Sequence, residues 1–348
     1  MPLKEKQLIQ RIRRAAGRQG DQAGIGIGDD SAVLPIPRHH EALVTTDFSL
    51  EDVHFRRDWH SPDSVGHRCL ARGLSDIAAM GGIPHAAFLS LALPLDVPQN
   101  WADQFIAGLL KLAARYDVRL AGGDTAQSPA GMLADIVVLG SVPKGKAILR
   151  SGARAGDALY VTGTLGSSAG ALQQLRDGEK LPPKSHRKHF YPEPRLAVGQ
   201  FLRENKLARA MIDISDGLST DLGHICDESK TGAVVYADAL PLASGNLVAG
   251  RLVSGHPSTS LKAGSFRRAE ARSKDTWALP PESLQLALHG GEEYELLFTA
   301  RRDRDIPKRI AGVPVSRIGE IVSGRKMKLV NPNGKSEPLI PAGWEHFG

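Results

Sequence analysis

The sequence is short of several things, and each shortage narrows what the protein can be. It holds 2 cysteines in 348 residues. Cys69 and Cys226 lack metal-ligand spacing and cannot build a disulfide framework, so they read as small core residues in a reducing compartment, a bacterial-type cytoplasm. No stretch approaches the roughly 20 apolar residues that span a bilayer, which leaves no membrane segment to propose. Aromatic residues make up 5% of the chain and are not interleaved with its basic residues. The net charge of +6 therefore fits a solvated surface or an anionic small-molecule site at least as well as a nucleic-acid face. No H-E-x-x-H, G-x-S-x-G or H-R-D pattern occurs. GSVPKGKA (140–147) comes close to a P-loop, but Ala147 stands where Ser or Thr must be, and the chain runs on into ILRSG rather than a helix. GTLGSSAG (163–170) lacks G-x-G-x-x-G spacing, and its glycines are better explained by strand-to-helix packing. His39 and His40 fall in a turn and read as a solvated pair.

What is present is an alternation of short Val/Ile/Leu runs with helix-period segments, the pattern of an α/β protein. Strands are predicted at 42–46, 86–94, 134–142, 158–163, 210–215, 233–239 and 294–300. Helices are predicted near 64–80, 99–115, 167–176, 195–206, 217–229 and 283–289, with NPNG (331–334) turning between two paired strands. MPLKEKQLIQRIRRAAG places Leu8, Ile9, Ile12, Ala15 and Ala16 on one helical face, which favours a first helix over a transit peptide. About two domains suit this length. The Gly-rich, basic PKGKAILRSGARAGD (143–157) suggests a boundary, giving an N-terminal domain 1–142 and a C-terminal domain 143–348. Within the second, the polar segment 254–277 reads as a mobile surface insertion.

Acids recur where apolar runs end. GIGIGDDSAVL (24–34) sets Asp29 beside Asp30, a pair that repels itself and is costly to bury without a cation. Asp47 ends VTTD and Asp124 ends LAGGD. Asp213 and Asp216 flank the end of AMIDIS, with Asp221 one helical turn on. Glu292 and Glu293 follow HGG, and Asp76 precedes the Gly-Gly stop of its helix. A single Asp after a strand is commonly a cap or turn residue. Capping, however, calls for neither the doublet nor the glycine neighbours. Carboxylates delivered from several strand ends suit Mg²⁺, which binds them together with substrate phosphates. The glycine pairs supply backbone N–H groups that can face phosphate oxygens. Together these features imply a nucleotide site in which metal ions mediate between carboxylates and phosphates.

GIGDDSAVL, VTTDFSLEDVHF, LSDIAAMGG, LAGGDT, LRSGARAGD, IDISDGLSTDLGHI, HGGEEYELLFT and the tail GWEHF occur in an order that resembles the thiamine-monophosphate kinase family. That family is grouped with aminoimidazole ribonucleotide synthetase and selenophosphate synthetase. The resemblance covers almost the whole chain outside 254–277. It implies two α/β domains without a P-loop, the N-terminal domains pairing as a homodimer around a β-barrel. It also implies ATP- and Mg²⁺-dependent phosphorylation of thiamine monophosphate, by direct in-line transfer, in the cytoplasm. By resemblance, Asp30, Thr45, Thr46, Asp47, Asp76, Asp124, Asp213 and Asp216 are metal ligands. Tyr116, Gly123, Asp124, Arg150 and Ser215 contact ATP, Tyr116 near the base and Arg150 near the phosphates. His54, Glu292 and Trp344 contact the thiamine phosphate, with Trp344 placed to stack on its cationic rings. Asp30, Asp47, Asp124 and Arg150 form the implied catalytic set. Two positions depart from the family: Asp52 replaces a frequent Gly, and Trp344 a frequent Tyr or Phe. Two alternatives stay open on sequence. One is a sister ATP-dependent synthetase, although selenide chemistry would favour a Cys in the loop before GDD, which has none. The other is a non-catalytic basic nucleic-acid binder, which would leave the recurrent acids unexplained.

Overall fold

The chain folds as two mixed β-sheets with helices packed against and between them, and its computed structural model describes residues 5–17, 27, 31–243 and 281–345. Asp29, Asp30, the 254–277 segment and the last three residues lie outside the described set. The first half runs α1 (Glu5–Ala16), β1 (His40–Leu50), α2 (Pro62–Ala79), β2 (Ile83–Leu93), α3 (Gln99–Arg115), β3 (Arg119–Gln127) and β4 (Leu133–Pro143). Its sheet has the order β1-β4-β2-β3. The second half runs β5 (Ala158–Thr162), α4 (Ser167–Arg176), α5 (Arg187–Phe190), α6 (Leu196–Glu204), β6 (Ala208–Asp213), α7 (Leu218–Ser229) and β7 (Gly232–Tyr236). It continues with α8 (Pro281–His289), β8 (Leu296–Ala300), β9 (Arg309–Ile310), β10 (Val313–Val322), β11 (Met327–Val330) and β12 (Ser336–Pro338). Its main path is β12-β11-β7-β10-β5-β8-β6.

The α/β reading and the predicted helices hold, while the strands need correction. β1 continues through Asp47 to Leu50, and β3 carries Asp124 inside it, so neither acid stands at a strand end. β3 and β10 were not predicted as strands. β3 is rich in Gly, is an edge strand and has a register shift opposite Ala87/Phe88. β10 contains Pro314 and shifts register between Arg317 and Gly319, both of which weaken a strand signal. The predicted strand 233–239 ends at Tyr236 and gives way to a single 3₁₀ turn. His40 is not in a turn: it opens β1, and its Nδ1 lies 2.9 Å from Ser141 Oγ. The loop after Pro143 leads to β5 without a helix, so the near-P-loop has no P-loop context.

Packing crosses the proposed boundary. One core joins Leu43, Leu70, Leu74 and Ile136 of the first half to Leu196, Leu202, Met211 and Phe298 of the second. A second core lies on the other face of the large sheet, with Leu159, Ile212, Leu222 and Leu297. Met211 and Phe298 point one way while Ile212 and Leu297 point the other, as strand alternation requires. A strand buried on both faces reads as the short, nearly continuous apolar runs AMI (210–212) and LLF (296–298). Fully burying each such side chain contributes about 1.5–3 kcal/mol. The consequence for function is that α2, packed between the halves, is fixed on all sides. Among the described residues no helix is long and apolar enough to cross a membrane.

Candidate functional site

Helix α2 carries Arg68, Arg72 and Asp76 at four-residue spacing, so they lie along one helical face about 6 Å apart. Asp76 accepts a short hydrogen bond from the Thr45 hydroxyl of β1, and the adjacent Ser75 donates to Asp213 Oδ2 at 2.6 Å. The helix thereby brings the end of β6 to the inner side of β1, where Asp47 also points. Asp221, on the first turn of α7, accepts the backbone N–H groups of Asp216 and Gly217 at 3.2 and 3.0 Å. Asp216, Asp221 and His224 present ligand atoms within 4.8 Å of one another.

These carboxylates crowd with too little positive charge to balance them. Burial, then the Asp76 charge, pushes Asp47 up to about 7, against a smaller opposing pull from Arg72. Burial also raises Asp76. Asp213 is raised well above the carboxylate range by burial and then by Asp76. Burial and Asp216 bring Asp221 to about 7. Charge-uncompensated oxygen donors from β1, α2, β6 and the β6–α7 turn are what hard divalent cations bind. The donor set therefore fits Mg²⁺. Arg150 is exposed, and its charge acts on both Asp76 and Asp221, which places it at the rim of this cluster.

The opposite end of the α2 face is cationic. Arg68 donates to His54 O at 3.1 Å and to Glu292 Oε2 at 2.7 Å, and makes a short bond to His189 O. His54 and Glu292 are thus held by one guanidinium, and His54 Nδ1 accepts the Leu50 N–H at 3.0 Å. Burial opposes ionisation of Glu292, but Arg68 and Arg72 outweigh it and bring the group down to about 2. Glu292 and Tyr294 have φ of +60° and +51°, a backbone strain of order 1–3 kcal/mol each. Glu292 N–H donates to Ser215 O at 2.7 Å, and Trp344 N–H to Asp216 O at 3.0 Å. A Cβ on Gly343 would fall 2.2 Å from Asp216 O, so only glycine lets the tail lie there and bring Trp344, 46% exposed, beside the acids. Asp52 has φ +65°, the left-handed conformation natural to Gly and tolerated by Asp. The turn before His54 therefore keeps its glycine geometry.

The structure thus gathers Thr45, Asp47, Asp76, Asp213, Asp216, Ser215, Arg150, His54, Glu292 and Trp344 around one face of α2. Four predicted residues lie apart from it. Thr46 and Asp124 belong to the outer face of the first sheet, where Thr46 Oγ1 donates to Asp135 Oδ1 at 2.6 Å and Asp124 pairs in register with Ser90. Tyr116 caps α3, and its hydroxyl is taken up by Glu193 and by Pro194 O at 3.2 Å. Gly123 has φ +141°, and a Cβ there would lie 1.8 Å from Leu89 O, so strand contact alone demands glycine. Beside it, Gly122, Asp124, Phe88, Ile12, Ile27 and Ser31 line a recess of about 350 Å³. Asp30 lies outside the described residues. Sequence reading missed Arg68, Arg72 and Ser75 as parts of the site. The one trace of them in the sequence is the spacing, two arginines four apart and in register with Asp76.

Two family models match the chain: AIR synthase related protein, N-terminal domain, over residues 28–142, and AIR synthase related protein, C-terminal domain, over 154–330. The thiamine-monophosphate kinase of Escherichia coli (strain K12) is 36% identical over 332 residues, covering 93% of this chain and 92% of the relative. The crystal structure of thiamine-monophosphate kinase from Stenotrophomonas maltophilia K279a aligns with a TM-score of 0.75 at 32% identity, over 97% of this chain and 99% of that one. The structure of AaThiL complexed with AMPPCP and TMP aligns with a TM-score of 0.72 at 27% identity, over 99% of both chains.

Proposed function

The chain belongs to the AIR synthase related family and, within it, to the thiamine-monophosphate kinases, and from that premise we infer how its site works. The protein is an ATP-dependent kinase that phosphorylates thiamine monophosphate to thiamine diphosphate, a transferase of thiamine biosynthesis. The observation that carries the mechanism is the polarity of the α2 face, with surplus carboxylates at one end and paired arginines at the other.

Mg²⁺ is assigned to the acidic end, held by Asp47, Asp76, Asp213, Asp216 and Thr45, with Asp30 proposed to join them, while Thr46 and Asp124, on the outer face of the first sheet, stand apart from this cluster within the chain. Bound there, divalent ions would screen the repulsion between two polyphosphate groups and stabilise the transferring charge. The acceptor is a phosphate monoester with a second pKa near ~6. It is already a nucleophile at neutral pH, so no side chain has to remove a proton. The work left to the protein is positioning and charge. Arg150 faces the nucleotide phosphates beside Ser215, and His54, Glu292 and Trp344 receive thiamine monophosphate; Tyr116 and Gly123 stand apart from this face within the chain. Asp47, Asp30 and Arg150 make up the proposed catalytic set.

Residues 1–142 are assigned to ATP, metal and dimerisation, and 143–348 to the second domain. The outer face of the first sheet supports a homodimer: Val44 and Phe48 are 68% and 54% exposed, with Phe88, Val137 and Leu139 on the same face. Phe48→Asp should shift sedimentation towards monomer. Two free, buried cysteines suit a cytoplasmic setting. An assay of ATP with thiamine monophosphate, with Mg²⁺ or with chelator, tests the mechanism. Thiamine diphosphate should form only with the metal, and equal turnover in chelator would overturn the metal assignment.

A further inference from the structure

Arg68 and Arg72 are one helical turn apart, yet their surroundings differ. Arg68 is saturated, its guanidinium divided among His54 O, His189 O and Glu292. Arg72 is not. Its Nη1 reaches Glu292 Oε1 only at 3.5 Å and its Nη2 reaches Asp47 only at 3.7 Å, both at or beyond the limit of a real hydrogen bond. Its Nε is buried and has no hydrogen-bond partner among the described residues. A buried cationic donor left without an acceptor is costly and calls for an explanation. The side chain itself is only 14% exposed, so bulk water does not supply the acceptor.

We propose that Arg72 binds the phosphate of thiamine monophosphate, holding the acceptor between the metal-binding acids and the thiamine contacts. This rests on the kinase reading above. Position supports it: Arg72 is midway along the α2 face, about 6 Å from Arg68 on the substrate side and about 6 Å from Asp76 on the metal side. An acceptor phosphate must occupy that middle ground if it is to face the ATP. Charge supports it as well. Two arginines share Glu292 here, and the only other carboxylate in reach among the described residues, Asp47 at 3.7 Å from Arg72, resists ionisation, so this end has room for an anion as the acidic end has for cations. Chemistry selects the ligand, because a planar fork with unused donors fits the tetrahedral oxygens of phosphate. The guanidinium keeps its charge throughout, and no proton is transferred.

The test compares thiamine monophosphate with unphosphorylated thiamine by calorimetric titration in Mg²⁺ buffer, for wild type, Arg72→Met and Arg72→Lys. Arg72→Met should weaken thiamine monophosphate binding by 10- to 100-fold and thiamine binding by less than twofold, with KM for ATP nearly unchanged. Arg72→Lys, which keeps the charge but not the fork, should fall between and keeps the test open if the Met variant does not fold. Equal losses for both ligands would make Arg72 a prop for Glu292, and no loss would remove it from the site; either result overturns the assignment. Failure of the wild type to turn over thiamine monophosphate would count against the kinase reading instead.

Discussion

Two buried polar regions of this molecule treat charge in opposite ways. Around Glu295, acids and cations are matched. Glu295 has a fully buried side chain, yet it takes two hydrogen bonds from Arg195 at 2.6 and 2.7 Å, one from Thr162 at 2.7 Å and an ion pair from Lys188 at 2.8 Å. Burial opposes its ionisation, but Arg195 and Lys188 prevail and hold its pKa low. Nearby, His60 and His189 lie with Nε2 atoms 3.1 Å apart, and burial keeps both neutral in the ordinary range. Around Asp47 the acids outnumber the cations and their pKa values rise. The first arrangement is complete in itself and serves the fold. The second becomes complete only when a ligand supplies the missing charge. Burial alone does not mark a site; burial with charge left over does.

The largest effect expected from this contrast is at Glu295. Glu295→Gln leaves the mostly buried Arg195 without its anion and Lys188 with only Glu293 at 3.6 Å, and breaking such a buried pair costs about 3–5 kcal/mol. Urea unfolding should show that loss, and an unchanged midpoint would mean that the region is not a charge-matched core. Asp47→Asn should do the reverse to the ligand-free protein. Removing a carboxylate that resists ionisation raises the melting temperature in chelator, while turnover with Mg²⁺ falls on the order of 10²–10³-fold, as for other preorganised electrostatic groups. A variant that is both active and less stable would make Asp47 a structural residue.

The same contrast sets two opposite pH dependences. Asp47 and Asp221 have folded pKa values near 7, above the ordinary 3.8. The folded state therefore holds more protons than the unfolded one between about pH 4 and pH 7, and stability falls as pH rises through that window. His60 is lowered from 6.5 to about 3 by burial and then by Arg68. Its contribution is fully present above pH 6.5 and is lost as pH falls towards 3. In chelator, melting temperature should peak between these trends and decline towards pH 7.5, at up to about 1.4 kcal/mol per pH unit for each carboxylate. Mg²⁺ should remove the decline on the alkaline side and leave the acidic side alone. A metal-independent profile would detach the cluster from cation binding.

How much of this could be read from sequence depends on whether position or charge was in question. The α/β class and nearly every helix were legible, because apolar periodicity is local. Asp47 and Asp213 were legible as site candidates, because acids next to strong apolar runs stand out. Their location was not: Asp47 lies within β1, since Thr45, Asp47 and Ser49 continue the alternation that the acid seemed to end. Thr45 and Thr46 are adjacent in sequence yet point to opposite faces of the sheet, a separation that follows from the two-residue strand period once β1 is known to run through them. Arg68 and Arg72 were hidden for a different reason. A basic residue on a helix is ordinarily solvated, and only the packing of α2 between the two halves turns this face inward. The register of the halves is a long-range property with no local trace.

The smallest effect expected is at Trp344, where the contrast meets the solvent. Its backbone N–H is fixed to Asp216 O at 3.0 Å, which ties the tail to the acidic end whatever the side chain is. The ring itself is 46% exposed, so substitution should not disturb the core. If the ring stacks on the cationic thiamine rings, Trp344→Phe keeps a π face and loses only part of about 0.5–2 kcal/mol, a KM rise of a few-fold at most. Trp344→Ala should lose all of it, with KM for thiamine monophosphate up by as much as about 10- to 30-fold and little change in kcat, since the metal-binding acids are untouched. Equal KM values for the Phe and Ala variants would show that shape rather than cation–π attraction is at work there. The tail would then be a lid over the acids and not a contact for the thiamine rings.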